Sequence, residues 1–332
     1  MLDIELERAM QLPPIPENEL QRLATLRALN ILDTDVEERF DRITRLTRRI
    51  FALPICVVTL VDANRQWFKS RQGLAVTETS RDVSFCAHAI NHDGIFIVND
   101  ALTDPRFHDN PLVTQSPHIR FYAGYPLTIH SEYRVGTLCL IDNEPREFSE
   151  DDIETLTDLG QMVEAELLSI AQNTLDPLTM ISNRRGFELL AYQSLASCRR
   201  MDSQAALVFF DLDFFKEVND RFGHRKGDQV LYDFAHILMA AFRESDVIAR
   251  LGGDEFVVLL SLVQPDTVGF AIKRFQLLLD QYNQQHPQQN ALKTSIGIAH
   301  WSPDSDINLE DLLDAADRAM YQDKAEHHSN NP

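Results

Sequence analysis

The apolar positions change their period several times along this chain. Val36, Phe40, Ile43, Thr47 and Ile50 recur at helical spacing, with Asp33 or Thr34 as the expected cap and Pro54 as the stop. Residues 55–61 are then a nearly continuous apolar run of strand length. Residues 66–70, 95–98, 120–129 and 134–142 read as further strands. Helix, strands, loops and strands in that order predict one mixed α+β domain ending near Asp142.

Residues 150–173 differ, with no Pro and one Gly. Ile153, Leu156, Val163, Leu167 and Ile170 form a heptad-like stripe. That stripe suits a terminal helix packed on its own domain as well as a short coiled coil. Beyond it, Asn183 opens a helix and residues 205–212 form an apolar strand ending in acid. Residues 215–223 and 227–242 read as helices, and 247–250 and 256–260 as strands joined through Gly252-Gly253. A helix over 265–285 with Pro265 in its first turn, a strand at 293–299 and a helix at 309–324 complete the pattern. Helices alternating with strands predict a sheet covered by helices.

Length and composition add limits. A chain of 332 residues with 44% apolar content favours two domains, each able to bury a core. No run of about 18 apolar residues is present, so no membrane span is expected. Residues 1–20 are rich in Pro and Glu and read as a loose leader; they carry acid where a secretory signal needs base, so a cytoplasmic location is expected. Cys56, Cys86, Cys139 and Cys198 form no CxxC pair, which points to reduced, buried thiols and not to a zinc site or disulfide framework. The net charge of −20 argues against a nucleic-acid partner. It does not argue against a nucleotide, because a divalent ion can join carboxylates to phosphates.

Candidate chemistry gathers at two places. Asp211 and Asp213 stand where the strand 205–212 stops, and Asp254 and Glu255 stand in the two-glycine hairpin. Acids at a strand end and a neighbouring hairpin can converge on a hard cation, the apparatus of nucleotidyl transfer. Gly252 and Gly253 leave the backbone open to a phosphate or base. Taken alone, the same features describe a common Gly-Gly hairpin and a capping Asp.

The surrounding blocks decide between these readings. Asp176-Pro177-Leu178-Thr179 with Asn183-Arg184-Arg185, residues 210–220, Gly223-His224 with Gly227-Asp228, residues 252–256, Ser295-Ile296-Gly297, and Ala316-Asp317 with Tyr321 and Lys324 follow one another in order. In these blocks the chain resembles the GGDEF family of diguanylate cyclases over roughly residues 175–324. The resemblance implies condensation of two GTP molecules into cyclic di-GMP and two pyrophosphates. It implies Mg²⁺ or Mn²⁺ held by Asp211, Asp254 and the Leu212 carbonyl, with Glu255 holding a second ion or taking the 3′-hydroxyl proton. Asn219 and Asp228 would read guanine; Asp accepts from N1–H and the 2-amino group, a donor pair that adenine lacks. Lys216 and Lys324 would neutralise the triphosphate, and Phe214 and Phe215 would pack around the nucleotide or serve as core.

Each such domain binds one GTP, so a homodimer is required for catalysis, and this inclines the stripe at 150–173 towards a dimer-forming linker. Arg243-Glu244-Ser245-Asp246 lies where the family carries its product-inhibition motif, so Arg243 and Asp246 are expected to bind cyclic di-GMP. Two departures stand out. Met180 replaces a usual Gly, which is expected to shift a turn. The segment after Lys324 lacks the usual Gly-Arg-Asn, leaving His328 near the position of the Arg.

The first half resembles a GAF sensory domain in residues 30–34, 62–68, 84–90, 104–107, 120–124 and 136–139. Such domains are often fused to signalling outputs; these stretches do not fix a ligand, and a small molecule of unknown identity is a candidate partner. Trp67, Phe121 and Tyr122 could line its pocket with Arg120 facing an anion, or be plain core. Cys86 and His88 read as core packing in preference to a redox or metal pair, and a bilin-bearing photoreceptor lacks supporting context. The expected fold is mixed α/β in two domains: an antiparallel-sheet GAF domain (21–149) after the leader, a connecting helix (150–174), and a palm-type cyclase domain (175–332). On this length no phosphodiesterase domain is expected. The rival functional class is a catalytically silent receptor for GTP or cyclic di-GMP; a GAF interaction scaffold leaves the acids unexplained.

Overall fold

The computed structural model describes residues 10–129, 132–286 and 291–329. The chain divides into two compact units, one formed chiefly by Ile31–Ala171 and the other chiefly by Gln172–Pro332.

The first unit runs α1 (Glu19–Ala28), α2 (Glu38–Phe51), β1 (Ile55–Val61), β2 (Arg65–Gln72), β3 (Glu78–Ser80), a 3-10 turn (Arg81–Val83), α3 (Phe85–Ala89), β4 (Phe96–Val98), α4 (Pro111–Thr114), β5 (Phe121–Ile129), β6 (Tyr133–Asp142) and α5 (Glu150–Thr174). Its six described strands form one antiparallel sheet ordered β3-β2-β1-β6-β5-β4. Alternate residues of a strand face opposite sides. Val57, Val61, Tyr122 and Cys139 therefore pack against α3 in one cluster, while Ser70, paired with Val58 and facing the other way, bonds Thr44 of α2 at 2.8 Å.

The start of α2 differs from expectation. Glu37, not Asp33 or Thr34, precedes the first turn, and no side chain caps it. Asp33 is in the left-handed region at φ 58° and forks onto Arg65 at 2.9 and 2.6 Å. The Thr34 hydroxyl donates to Ile31 O at 2.6 Å and receives the buried Lys69 ammonium at 2.7 Å. Tertiary partners have taken both caps. Val36 and Ile50 of the predicted stripe are exposed, so Phe40, Ile43, Thr44 and Thr47 carry the buried face.

The expectation of a dimer seam along α5 also changes. Leu156, Val163 and Leu167 are already buried within the single chain. The helix sits on its own sheet: Gly160 packs against the Tyr125 ring, and Glu164 accepts from Thr128 N at 2.6 Å and from the Tyr125 hydroxyl at 3.2 Å. Three- and four-residue spacing serves this docking as well as it would serve a partner helix.

The second unit runs α6 (Arg184–Arg200), β7 (Gln204–Leu212), α7 (Phe215–Phe222), α8 (His224–Ala241), β8 (Val247–Gly252), β9 (Glu255–Val263), α9 (Pro265–Gln285), β10 (Thr294–Trp301) and α10 (Leu309–Ser329). Its four described strands are antiparallel in the order β10-β7-β9-β8. Phe209 faces a core shared with Phe187 and Ala191 of α6 and with Leu312, Ala316 and Met320 of α10. Phe210, its neighbour, faces the other way into Phe234 of α8, Phe256 of β9 and Phe275 of α9, with ring centroids 4.9–6.2 Å apart. Helices thus cover both faces, and the ends of β7 and β9 are left to project. Among the described residues no helix is long and apolar enough to cross a membrane.

Candidate active site

β7 is central, and its register places Asp211 between Glu255 of β9 and Ser295 of β10. Gly252 pairs with Glu255, so Gly253 and Asp254 are the two turn residues between β8 and β9. Gly253 has φ 51° and Gly252 φ 156°, a backbone that glycine adopts without penalty. A Cβ built on either meets nothing, so here conformation and not crowding calls for glycine.

The turn is tied down from both sides. Leu212 N donates to Asp254 O at 3.2 Å. Arg250 donates to Gly253 O through Nε at 3.0 Å and Nη2 at 2.8 Å, and to both Asp176 carboxylate oxygens at 3.0 and 3.2 Å. Asp176 also accepts from Thr179 N and Oγ1 at 2.9 and 2.7 Å. This clamp joins the opening block to the hairpin. Sequence reading noted both blocks but gave neither residue a role, since they stand 74 positions apart. Met180 closes the Asp176 turn in the left-handed region at φ 60°, donating to Asp176 O at 2.9 Å. Met180 thus adopts a backbone that Gly would take more easily.

Lys324 of α10 donates to Asp211 Oδ1 at 2.5 Å. Burial raises the Asp211 carboxyl above its ordinary range, and Asp254 and Asp213 add to this against the pull of Lys324. Burial opposes the Lys324 charge, but its bond to Asp211 and the charges of Asp254 and Asp213 raise it overall. Burial raises Glu255 too, followed by the charges of Asp211, Asp317 and Asp254, with Arg184 opposing. The site is a crowd of carboxylates whose mutual repulsion the Lys324 ammonium and the Arg184 guanidinium offset in part. Asp317 and Arg184, which the sequence marks only as members of their blocks, belong to it as well. Asp213, by contrast, accepts from Ser295 Oγ at 2.7 Å, with its backbone N bonded to Lys293 O.

No group of three or more acids, His or Cys among the described residues is close enough to hold a metal unaided. The donors are nonetheless all oxygen, and the raised carboxyls show negative charge in excess. That chemistry fits a hard divalent ion, with Lys324 now standing on the Asp211 oxygen.

The nucleotide-reading candidates separate into two places. A Cβ at Gly227 would fall on the Asn219 amide oxygen and lie 3.2 Å from the Phe215 ring, so α7 and the first turn of α8 touch there. Asn219, Phe215 and Asp228, the residue after Gly227, are thereby neighbours, and Lys216 and Asp228 are exposed. Phe214 is different. It has φ 59° and lines a cavity of about 750 Å³ with Leu279, Asn283 and Leu292. The side chain of His328 lies outside the described residues.

Arg243 and Asp246 form a tight turn, with Arg243 N donating to Asp246 Oδ2 at 2.8 Å and Asp246 N to Arg243 O at 3.0 Å. Burial raises the Asp246 carboxyl, and its Oδ1 is buried with no hydrogen-bond partner. Both residues line a cavity of about 250 Å³ with Phe270 and Arg274 of α9. The latter two were missed because only the fold brings α9 here.

In the first unit, Tyr122 lines a cavity, whereas Arg120 is engaged by Asp100 at 2.7 and 2.8 Å and is not among the residues that line it. Trp67 and Phe121 are buried core. His88 packs edge-on against Phe107, and burial lowers its pKa to about 4.

Acids of β7 and of the β8–β9 hairpin thus meet at one end of an antiparallel sheet between helix layers, an all-oxygen set that suits phosphate chemistry with a hard divalent ion. Comparison with known proteins agrees. Residues 173–330 match the family "Diguanylate cyclase, GGDEF domain", and residues 35–167 match the GAF domain. Diguanylate cyclase DgcP of Escherichia coli is 32% identical over 262 residues, covering 74% of this chain and 75% of that protein. Cyclic di-GMP phosphodiesterase PA2567 of Pseudomonas aeruginosa is 40% identical over 177 residues, 53% of this chain and 30% of that protein. Probable diguanylate cyclase DgcC of Escherichia coli is 34% identical over 152 residues, 46% of this chain and 41% of that protein. The chain thus spans under a third of PA2567 and under half of DgcC. It belongs to the GGDEF family of diguanylate cyclases, with a GAF domain before the GGDEF domain.

Proposed function

We propose that this chain condenses two GTP molecules into cyclic di-GMP and two pyrophosphates. The observation that carries this reading is the Gly253-Asp254 turn with Glu255 paired beside Asp211, which Lys324 bonds, and Asn219 next to Gly227 and Asp228 where α7 meets α8. Asn219 and Asp228 take the guanine edge, the carboxylate accepting from N1–H and the 2-amino group. Lys216 and Lys324 meet the phosphates; Lys324 leaves Asp211 to do so. Asp211, Asp254 and the Leu212 carbonyl would hold Mg²⁺ or Mn²⁺, which when bound supplies Lewis-acid polarisation of the α-phosphate. Glu255 accepts the proton of the attacking 3′-hydroxyl. Its raised affinity for protons, set by burial and the surrounding acids, suits a general base.

One domain offers one GTP, so two copies must meet face to face to present each 3′-oxygen to the other's α-phosphorus. The GAF domain regulates this encounter. Incubating the full chain with GTP and Mg²⁺ should yield cyclic di-GMP on chromatography. No product, with binding of cyclic di-GMP retained, would move the chain to the receptor class.

A packing test bears on the guanine site. Gly227→Ala drives a methyl into the end of a flexible Asn219 side chain, so the fold should survive while the amide is displaced. KM for GTP should rise roughly ten- to a hundredfold, the loss expected for one or two hydrogen bonds, with Tm nearly unchanged. An unchanged KM removes Asn219 from the site.

Feedback is the second part of the proposal. The orphaned Asp246 oxygen and the neighbouring Arg243 and Arg274 suit a guanine of cyclic di-GMP, Arg on the Hoogsteen edge and Asp on the imino and amino protons. Arg243→Ala should raise the cyclic di-GMP concentration for half-inhibition about tenfold or more, without lowering the initial rate. Inhibition that stays the same in this variant rules the site out.

A further inference from the structure

The first unit holds a partly open, mostly apolar cavity of about 370 Å³ between its sheet and α3. Ile55, Val57, Phe68 and Phe85 supply much of its wall. Two sulfurs face it as well. Cys86 on α3 and Cys139 on β6 have their Sγ atoms 3.7 Å apart, and the Tyr122 hydroxyl donates to Cys86 Sγ at 3.3 Å. Both residues are almost without solvent exposure, so the cavity is their approach. The other two cysteines are also buried and do not line it.

We propose that Cys86 and Cys139 are a modification site, closing to a reversible disulfide when a small hydroperoxide enters this cavity. A disulfide places sulfurs about 2 Å apart, so closure asks for a movement on the order of 2 Å, within reach of side-chain rotation and a small shift of a five-residue helix. The chemistry balances. The Cys86 thiolate attacks one peroxide oxygen; the O–O bond breaks, the leaving oxygen takes up a proton, and Cys86 becomes a sulfenic acid. Cys139 sulfur then attacks Cys86 sulfur; the S–O bond breaks, water leaves with the Cys139 proton, and the S–S bond forms. Two electrons pass from the thiol pair to the peroxide.

The surroundings favour Cys86 as the attacking sulfur. Burial alone raises a thiol, as it does at Cys139. At Cys86 burial is outweighed by hydrogen bonds from Cys139, Thr137, Thr59 and Tyr122, which lower it overall. The cross-link would tie α3 to β6, the strand that ends at Asp142 shortly before α5 begins at Glu150.

The test uses the full chain, titrated with hydrogen peroxide and analysed by thiol counting and non-reducing peptide mass spectrometry. Free thiols should fall from four to two. Cys86 and Cys139 should be lost together, roughly tenfold faster than Cys56 and Cys198, as one cross-linked peptide that dithiothreitol releases. Cys139→Ser should instead leave a Cys86 sulfenic acid that dimedone traps; should that variant not fold, the wild-type cross-link alone decides. Equal loss of all four thiols, or separate sulfinic acids at Cys86 and Cys139 with no cross-link, overturns the proposal.

Discussion

Glu255→Gln should lower the rate of cyclic di-GMP formation about 10²- to 10⁴-fold, the range expected when a general base is removed. The fold should not suffer. Burial and the charges of Asp211, Asp317 and Asp254 already disfavour the Glu255 carboxylate. An acid whose folded pKa is raised binds its proton more tightly folded than unfolded. It therefore subtracts stability as pH rises from the ordinary carboxylate range through the raised value. Gln carries no charge to be disfavoured. Without added metal at neutral pH, its Tm should equal or exceed that of the parent, and the decline of Tm with pH should be shallower. Activity kinetics and Tm measured side by side separate the cases. A variant that keeps most of its rate means Glu255 is not the base; one that loses rate together with stability means the residue is structural.

Local features of this site were legible in the sequence. An apolar run ending in acid and a Gly-Gly step between two short apolar runs each declare themselves within a few residues, and β7 and the β8–β9 hairpin formed as expected. The second unit's helices also formed near the expected residues. Less legible was anything decided by partners distant in sequence. Asp33 and Thr34 looked like caps until Arg65 and Lys69, on the adjacent strand, claimed them. The α5 stripe carried no sign of whether its own sheet or another helix would cover it. The nearness of Cys86 to Cys139, 53 positions apart, and of Arg274 to Arg243 follows only from the folded sheet and its helices. Periodicity reports which face is buried, not what buries it.

The Arg250 clamp belongs to the same class of long-range contact, and it carries the second large effect. Arg250→Ala removes two donors from Gly253 O and the cation from Asp176. Both partners of that ion pair are largely buried, with side chains 13% and 17% exposed, so solvent replaces the bonds poorly. The peptide of Gly253 is then held mainly by the ladder, and the next residue is Asp254. A displacement of about 1 Å at a reacting centre can cost on the order of a hundredfold in rate. We expect kcat to fall by about that factor while KM for GTP changes little, because Asn219 and Asp228 stand on α7 and α8, outside the clamp. Arg250→Lys keeps the charge but not the fork that bonds Gly253 and Asp176 together, so it should recover little of the loss. Steady-state kinetics on both variants check this. A fall confined to KM would show that Arg250 serves the nucleotide and not the turn, and an unchanged kcat in Arg250→Ala would show that the glycine backbone holds Asp254 in place unaided.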